Sequence, residues 1–382
     1  MRVEPTAPAE VLAAVRAPLE GAGAERADAP LLQPLNLLLD LAGEAMRARL
    51  FVVQAEGGTE SCLRPDFTVA IARQHIESGR PAGRYYYQGA AFRASTAADR
   101  PEEFVQVGLE GFSPASSEDG GGPTEAADAE IAVLAWQAAA AGGRDDLSLW
   151  LGDVALFGAF VESLELPESL AARLKRVAGR PRLLWNELSR VGEAPTNGGG
   201  GTLAGLLAGL SEGQAAALLE EVWALAGVEP VGGRGPAEIA ARLVRKAEAA
   251  QAPALTGAQS AAIRAFMAID DAPAAAFADV RGLAGGNDAA LKAALAGWET
   301  RLAGISRTVP AERMRFTPAL GHAFDYYDGL TFEVRSTALG AERPVAVGGR
   351  YDGLLARLDG GREGRAVGCM VRPWRAYAGG EA

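Results

Sequence analysis

An amide at Gln106 and a carboxylate at Glu110 lie in the stretch Glu103-Phe-Val-Gln-Val-Gly-Leu-Glu110. Its aromatic and β-branched content reads as a strand. A strand turns every second side chain to one face, so Phe104, Gln106, Gly108 and Glu110 point the same way. Glycine in mid-strand weakens a sheet and often marks the close approach of a ligand. An amide and a carboxylate on either side of that bare step suit a small ligand carrying an amino group. The preceding run, Arg84-Tyr-Tyr-Tyr-Gln-Gly-Ala-Ala-Phe-Arg93, reads as the partner strand, with Tyr85, Tyr87 and Gly89 on one face. Arg93 near its end suits an anion, a carboxylate or a phosphate. The same residues also fit an ordinary hairpin with a polar, solvated face, and spacing alone leaves both readings open.

The chain around this hairpin has 382 residues, 49% hydrophobic and 22% charged, enough for a large core and for two or three domains. With 48 acidic and 37 basic residues the net charge is −11, which argues against a nucleic-acid partner at long range. The only cysteines are Cys62 and Cys369, so no disulfide framework is implied and a reducing, cytoplasmic setting is expected. The opening Met1-Arg-Val-Glu-Pro-Thr-Ala lacks the apolar core of a signal peptide, and no run is long enough to span a membrane. The two histidines, His75 and His322, cannot build a metal cluster, and no metal or cofactor is expected.

Several elements must position the polar groups. Residues 8–21 read as an amphipathic helix, and Leu50-Phe-Val-Val as a short strand. After Ser61-Cys-Leu-Arg-Pro-Asp-Phe-Thr68 a helix runs to about residue 77, with Asp66 placed to cap it and His75 read as a surface or satisfied core histidine. A helix is expected over 123–141 and a strand over 147–151. From 153 to 305 come Ala- and Leu-rich helices, at 167–178, 201–210, 212–226, 236–250, 257–268 and 287–304. Asn197-Gly-Gly-Gly-Gly201 lacks the Gly-Lys-Ser/Thr of a phosphate loop and reads as a linker. Strand signals return at Arg313. Tyr326 and Tyr327 alternate faces, so that one lines a pocket while the other packs. In Val347-Gly-Gly-Arg-Tyr-Asp-Gly-Leu-Leu355 the glycines permit close backbone approach to a ligand, and 366–371 forms the last strand.

Five of these blocks, over roughly 28–112 and 317–375, resemble the motifs of histidyl-tRNA synthetases, class II aminoacyl-tRNA synthetases, in the family's order. Tyr87-x-Gly-x-x-Phe-Arg93, a loop, then Glu103-Phe-x-Gln-x-Gly-x-Glu110 is similar to motif 2. Pro30 is similar to the motif 1 proline of the dimer interface. Leu63-Arg-Pro-Asp-x-Thr68 and Asp325-Tyr-Tyr with Phe332-Glu333 resemble the histidine-binding stretches, and the Gly-Gly-Arg-Tyr-Asp-Gly-Leu block precedes motif 3. The resemblance implies an α+β fold, a class II synthetase-like antiparallel sheet flanked by helices, formed by 1–152 and 306–382, with 153–305 as a helical insertion. It implies a histidine site of Asp66, Thr68, Arg93, Gln106, Glu110, Tyr326 and Tyr327. In that site Asp66 and Glu110 balance the amino group, Thr68 and Gln106 hydrogen-bond beside them, Arg93 holds a carboxylate, and the tyrosines face the imidazole.

The departures point to a particular branch. His322 stands where the synthetases carry their catalytic arginine, and a mostly neutral imidazole cannot replace that bidentate fork. Arg372-Pro-Trp-Arg375 replaces the Gly-Leu-Glu-Arg of motif 3. The connection 94–101 is short and carries little positive charge, and the sequence stops soon after Arg375, where an anticodon-binding domain would follow. This combination resembles the synthetase-like regulatory subunits of ATP phosphoribosyltransferase. In that family the subunit is not catalytic and assembles with a short catalytic subunit that performs the first step of histidine biosynthesis under histidine inhibition. The expectation is a homodimer within a hetero-oligomer, with histidine as ligand, and with no tRNA and no membrane partner. Two alternatives stay open: a synthetase paralogue that adenylates an amino acid, and a histidine-sensing module for another partner.

Overall fold

The structure is a computed structural model that describes residues 1–380 except 43, 55–57, 59, 99, 116–123, 178–180, 190–211, 227–254 and 321–325. In chain order the strands are β1 Glu25–Arg26, β2 Leu32–Pro34, β3 Val52–Gln54, β4 Glu60–Leu63, β5 Gly83–Phe92, β6 Glu103–Pro114, β7 Leu147–Asp153, β8 Met314–Phe316, β9 Leu330–Ser336, β10 Ala346–Arg350 and β11 Gly364–Val371. Eight of them form one sheet in the order β1-β5-β6-β11-β10-β9-β7-β8, and β2-β4-β3 form a second. The large sheet is antiparallel except at its two edges, where β1 joins β5 and β8 joins β7 in parallel.

The local sequence explains these strands. In β7, Leu147, Leu149 and Leu151 alternate into the core. In β6 the mid-strand residues are buried on both faces, Val107 and Leu109 on one, Phe104, Gln106 and Glu110 on the other. That is the signature of a central strand with material above and below it. The hairpin register pairs Tyr85 with Glu110 and Tyr87 with Gly108, so Tyr87 stands on the Glu110 face.

Helices α1 Ala9–Glu20, α2 Leu35–Ala42, α3 Thr68–Glu77 and α4 Thr124–Ala140 flank the sheet. The long α4 crosses β9, β10 and β11 with Ile131, Ala132, Leu134, Ala135 and Ala138 buried. Its buried Asp128 accepts 2.8 Å hydrogen bonds from Arg350 of β10 and from Arg301 of the helix Ala289–Ile305. Two cations share this carboxylate, and Arg350 also pairs with Asp352 at 3.0 Å, so removing Asp128 would cost Arg301 most. In α3, His75 is buried, stacks on Phe112 at 4.5 Å and meets the Tyr85 hydroxyl at 3.2 Å, a satisfied core histidine.

The chain divides into two compact units, residues 1–163 with 266–382, and residues 164–265. The span 153–305 is therefore shared between them. The first unit takes in the helices Val154–Ser163, Pro273–Gly282 and Ala289–Ile305, of which the sequence reading had drawn only the last. In the second unit Arg264 donates 2.8 Å to the Leu188 carbonyl and lies 5.0 Å from the Trp185 ring, and Ser260 also donates to Leu188. The helices expected at 201–210 and 236–250, and Asn197 to Gly201, lie outside the described residues.

Candidate functional site

Strands β5, β6, β10 and β11 and the start of α3 enclose a cavity of about 730 Å³. Its floor is acidic and aromatic. Glu110 is fully buried there. Thr68 Oγ1 donates to its Oε1 at 2.7 Å and Tyr351 Oη to its Oε2 at 2.5 Å, while Tyr87 Oη lies 3.5 Å from Oε1. Burial pushes the Glu110 carboxyl up to about 8. The Tyr351 and Thr68 hydroxyls pull it back, and the nearby Asp66 pushes it further. Asp66 is also raised by burial, against the opposing pull of the Arg93 guanidinium. Both Asp66 oxygens are buried, and neither completes a hydrogen bond of normal geometry among the described residues. Two acidic groups thus face one enclosure, and burial holds a proton on Glu110 in the absence of a cation.

Asp66 is not the N-cap residue of α3: the helix begins at Thr68 and Phe67 precedes it. The first-turn amides of Val69 and Thr68 still favour the Asp66 carboxylate against its burial. The turn directs Asp66 and Thr68 to the cavity, while Arg64 of the same motif anchors the turn by donating 2.8 Å to the Ala90 carbonyl. Tyr326 and Tyr327 precede β9 and lie outside any strand, so they do not alternate. Both line the cavity, with ring centroids 4.8 Å apart. Tyr326 also lies 5.8 Å from the Tyr351 ring.

The mouth is rich in arginine, with Arg49, Arg93, Arg100, Arg343, Arg372 and Arg375 on the wall. Arg93 donates 2.9 Å to the Pro65 carbonyl and lies over Phe104. Arg372 lies closer to the same ring, 3.5 Å from its centre. The buried Glu4 takes up both Arg372, with ion-pair contacts at 2.7 and 3.1 Å, and Arg375, at 3.4 Å. Arg100 pairs with Glu342 at 2.7 Å.

Six of the seven site residues anticipated from sequence line this cavity: Asp66, Thr68, Arg93, Glu110, Tyr326 and Tyr327. Gln106 does not. It is fully buried and both its amide atoms lack partners among the described residues. His322 lies outside the described residues.

The glycines depart from the ligand-approach reading. A side chain on Gly108 would strike the Tyr87 ring, one on Gly349 the Tyr327 ring, and one on Gly368 the Glu110 carboxylate. They admit the protein's own rings and acid, which then form the floor. Sequence reasoning missed Tyr351, Tyr87, Glu4 and Arg372. Tyr87 was findable, since the hairpin register puts it on the Glu110 face. Tyr351 sat in a motif read only for its glycines. Nothing local marks Glu4, 368 residues from its partner Arg372.

The fold and cavity have counterparts. A family model described as Histidyl-tRNA synthetase matches residues 5–183 and 236–373. A solved Bacillus halodurans structure, titled an ATP phosphoribosyltransferase regulatory subunit/histidyl-tRNA synthetase, superposes with a TM-score of 0.66 at 20% identity, covering 99% of this chain and 81% of that one. The histidyl-tRNA synthetase of Nostoc gives 0.60 at 15% identity, covering 98% and 74%. These likenesses define a class II, histidyl-tRNA synthetase-like fold. Two sequence relatives narrow the class, both called ATP phosphoribosyltransferase regulatory subunit. One, from Brucella anthropi, is 33% identical over 94% of each chain, and one from Mesorhizobium japonicum is 36% identical over 86% of each. The chain belongs to the family of ATP phosphoribosyltransferase regulatory subunits.

Proposed function

We propose that this chain is a non-catalytic regulatory subunit of ATP phosphoribosyltransferase, which binds histidine in its cavity and transmits feedback to a short catalytic partner. The observation that carries the reading is the pair of buried carboxylates, Asp66 and Glu110, facing one tyrosine-walled enclosure. An α-ammonium group supplies the counter-charge that this floor lacks. Thr68 hydrogen-bonds beside it, Arg93 takes the ligand carboxylate, and Tyr326 and Tyr327 face the imidazole. Gln106 lies off the cavity wall, and its unpaired amide gives it a reason to turn toward a ligand. Feedback then needs only that histidine bind two quaternary states of the complex with different affinity.

The mouth supports the non-catalytic part. Arg372 stands where the synthetases carry the first glycine of Gly-Leu-Glu-Arg, and its guanidinium covers the Phe104 ring. An aromatic face capped by the protein's own cation is closed to a stacking nucleobase. The 94–101 connection is also engaged internally, because Arg2 donates to the carbonyls of Ser95, at 2.6 Å, and Arg100, at 2.8 Å. This supports a chain that does not grip tRNA.

Exposed Leu31, Leu32, Val52 and Val53 lie on and beside the small sheet that follows Pro30. They form an apolar surface suited to a second copy, so we assign a homodimer within the hetero-oligomer. Both cysteines are free and buried, as suits a cytoplasmic chain, and no described helix is long and apolar enough to cross a membrane.

The test mixes this chain with the short catalytic subunit from the same source and follows phosphoribosyl-ATP formation. In parallel, the chain alone is assayed for histidine-dependent pyrophosphate exchange. Strong stimulation of the partner without exchange is expected. Exchange without stimulation would make the chain an adenylating enzyme instead.

A further inference from the structure

The segment at residues 1–4 is bound beside the cavity wall, against residues 95–103. Arg2 accepts from the Glu102 amide at 2.7 Å, Glu4 donates its amide to Glu103 at 2.8 Å, and Val3 bridges Glu103. This fastens Glu4 beneath the mouth, where its buried carboxylate is shared by Arg372 and Arg375. Arg372 is buried as well, and burial together with the adjacent Arg375 disfavours its charge, while Glu4 opposes both. A guanidinium stays protonated in proteins, so the two arginines depend on Glu4 for neutralisation. The other acidic residues on this part of the wall are committed elsewhere, Glu342 to Arg100 and Glu333 to Arg335.

We propose that Glu4 determines which class of ligand the cavity takes, by clasping Arg372 and Arg375 and so reserving the enclosure for a zwitterionic amino acid over polyphosphate-bearing ligands. The inference rests on the histidine reading for the favoured ligand, but not for the excluded one. With Glu4 in place, the clasp holds two positive charges against one negative, and Arg372 is held over Phe104, 3.5 Å from the ring centre. Without it, two uncompensated guanidiniums stand at a mouth already lined by Arg49, Arg93 and Arg343. That is the donor set a polyphosphate chain requires, and Arg372 becomes free to swing off the ring.

The experiment titrates inorganic tripolyphosphate and, separately, histidine into the full chain and its Glu4→Gln variant by calorimetry at fixed low salt. Glu4→Gln is expected to bind tripolyphosphate at least tenfold more tightly than the unaltered chain, the gain shrinking as salt rises. Histidine affinity should stay within about threefold, because the floor is unchanged. Glu4→Asp keeps the charge and draws the carboxylate back by one methylene. It serves as a second variant that folds if Glu4→Gln does not, and its tripolyphosphate affinity should lie between the two. Equal tripolyphosphate affinity across the variants, or tight binding by the unaltered chain, overturns the proposal. Absence of histidine binding to every variant would instead overturn the histidine reading, and leaves the tripolyphosphate comparison intact as a test of Glu4.

Discussion

The floor and the mouth of the one cavity treat charge in opposite ways. At the mouth the arginines meet partners from the chain itself: Glu4 under Arg372 and Arg375, and Glu342 beside Arg100. At the floor Asp66 and Glu110 meet only hydroxyls, backbone and each other, apart from the Arg93 guanidinium near Asp66. The floor and the Glu4 clasp are buried, where uncompensated charge is costly, whereas Arg100 and Glu342 are exposed. A protein that satisfies one end and leaves the other short has placed its binding energy at the short end. The proposed histidine reading seats a cation at the floor, and the proposed role of Glu4 turns an anion away at the mouth.

The sharpest way to break this contrast is to remove the floor's charge. Glu110→Ala is expected to weaken histidine binding at least a hundredfold by calorimetry, about 2.7 kcal/mol, because a desolvated charge partner is lost. If histidine affinity survives, the floor is not the ammonium site.

The next effect concerns the folded chain alone. The Glu110 carboxyl sits at about 8, against an ordinary value of 4.5. Between those values the folded chain keeps a proton that the unfolded chain has released. Stability from this group is therefore fully present below about pH 4.5 and declines as pH rises through 8, by up to about 1.4 kcal/mol per pH unit. Urea titrations from pH 5 to 8 should show the decline, and Glu110→Gln should flatten it. A stability that rises over that range by the same amount in both proteins would show that Glu110 is ionised in the folded state.

Tyr351→Phe is a smaller change. It removes the 2.5 Å donor to Glu110 Oε2 and keeps the ring. A hydrogen bond to a charged group contributes about 1.5–3 kcal/mol, so histidine affinity at pH 7 should fall roughly tenfold and recover in part at higher pH. The smallest effect is expected at a pair that belongs to neither region. Arg84 and Glu130 meet at 2.9 Å on the surface, and Glu130→Gln should shift stability by less than about 1 kcal/mol and leave histidine affinity unchanged.

Part of the floor was legible in the sequence: period-two alternation faces Glu110 to one side, and the resemblance of Leu-Arg-Pro-Asp-x-Thr to a histidine-binding stretch pointed to Asp66 and Thr68, while Gln106, on the same face as Glu110, stays off the cavity wall. The antiparallel hairpin, α3 and α4 followed from similarly local patterns. The glycines were misread for a physical reason. A missing side chain shows that something comes close, but not whether it is a ligand or the chain's own ring. The helices Val154–Ser163, Pro181–Leu188 and Pro273–Gly282 were missed in a uniformly Ala- and Leu-rich stretch, where little marks where one helix ends. The clasp at the mouth was not legible at all. It joins residues at opposite ends of the sequence, and only the folded sheet brings Glu4 to Arg372.

The most direct test of the floor is calorimetric titration of histidine into the unaltered chain at pH 7, repeated in buffers of different ionisation enthalpy. An ammonium ligand seated between Asp66 and Glu110 should bind at sub-millimolar concentration and drive the proton off Glu110 into the buffer, so the apparent enthalpy should change with the buffer. No heat of binding up to millimolar histidine, or binding with no proton release, would contradict the account.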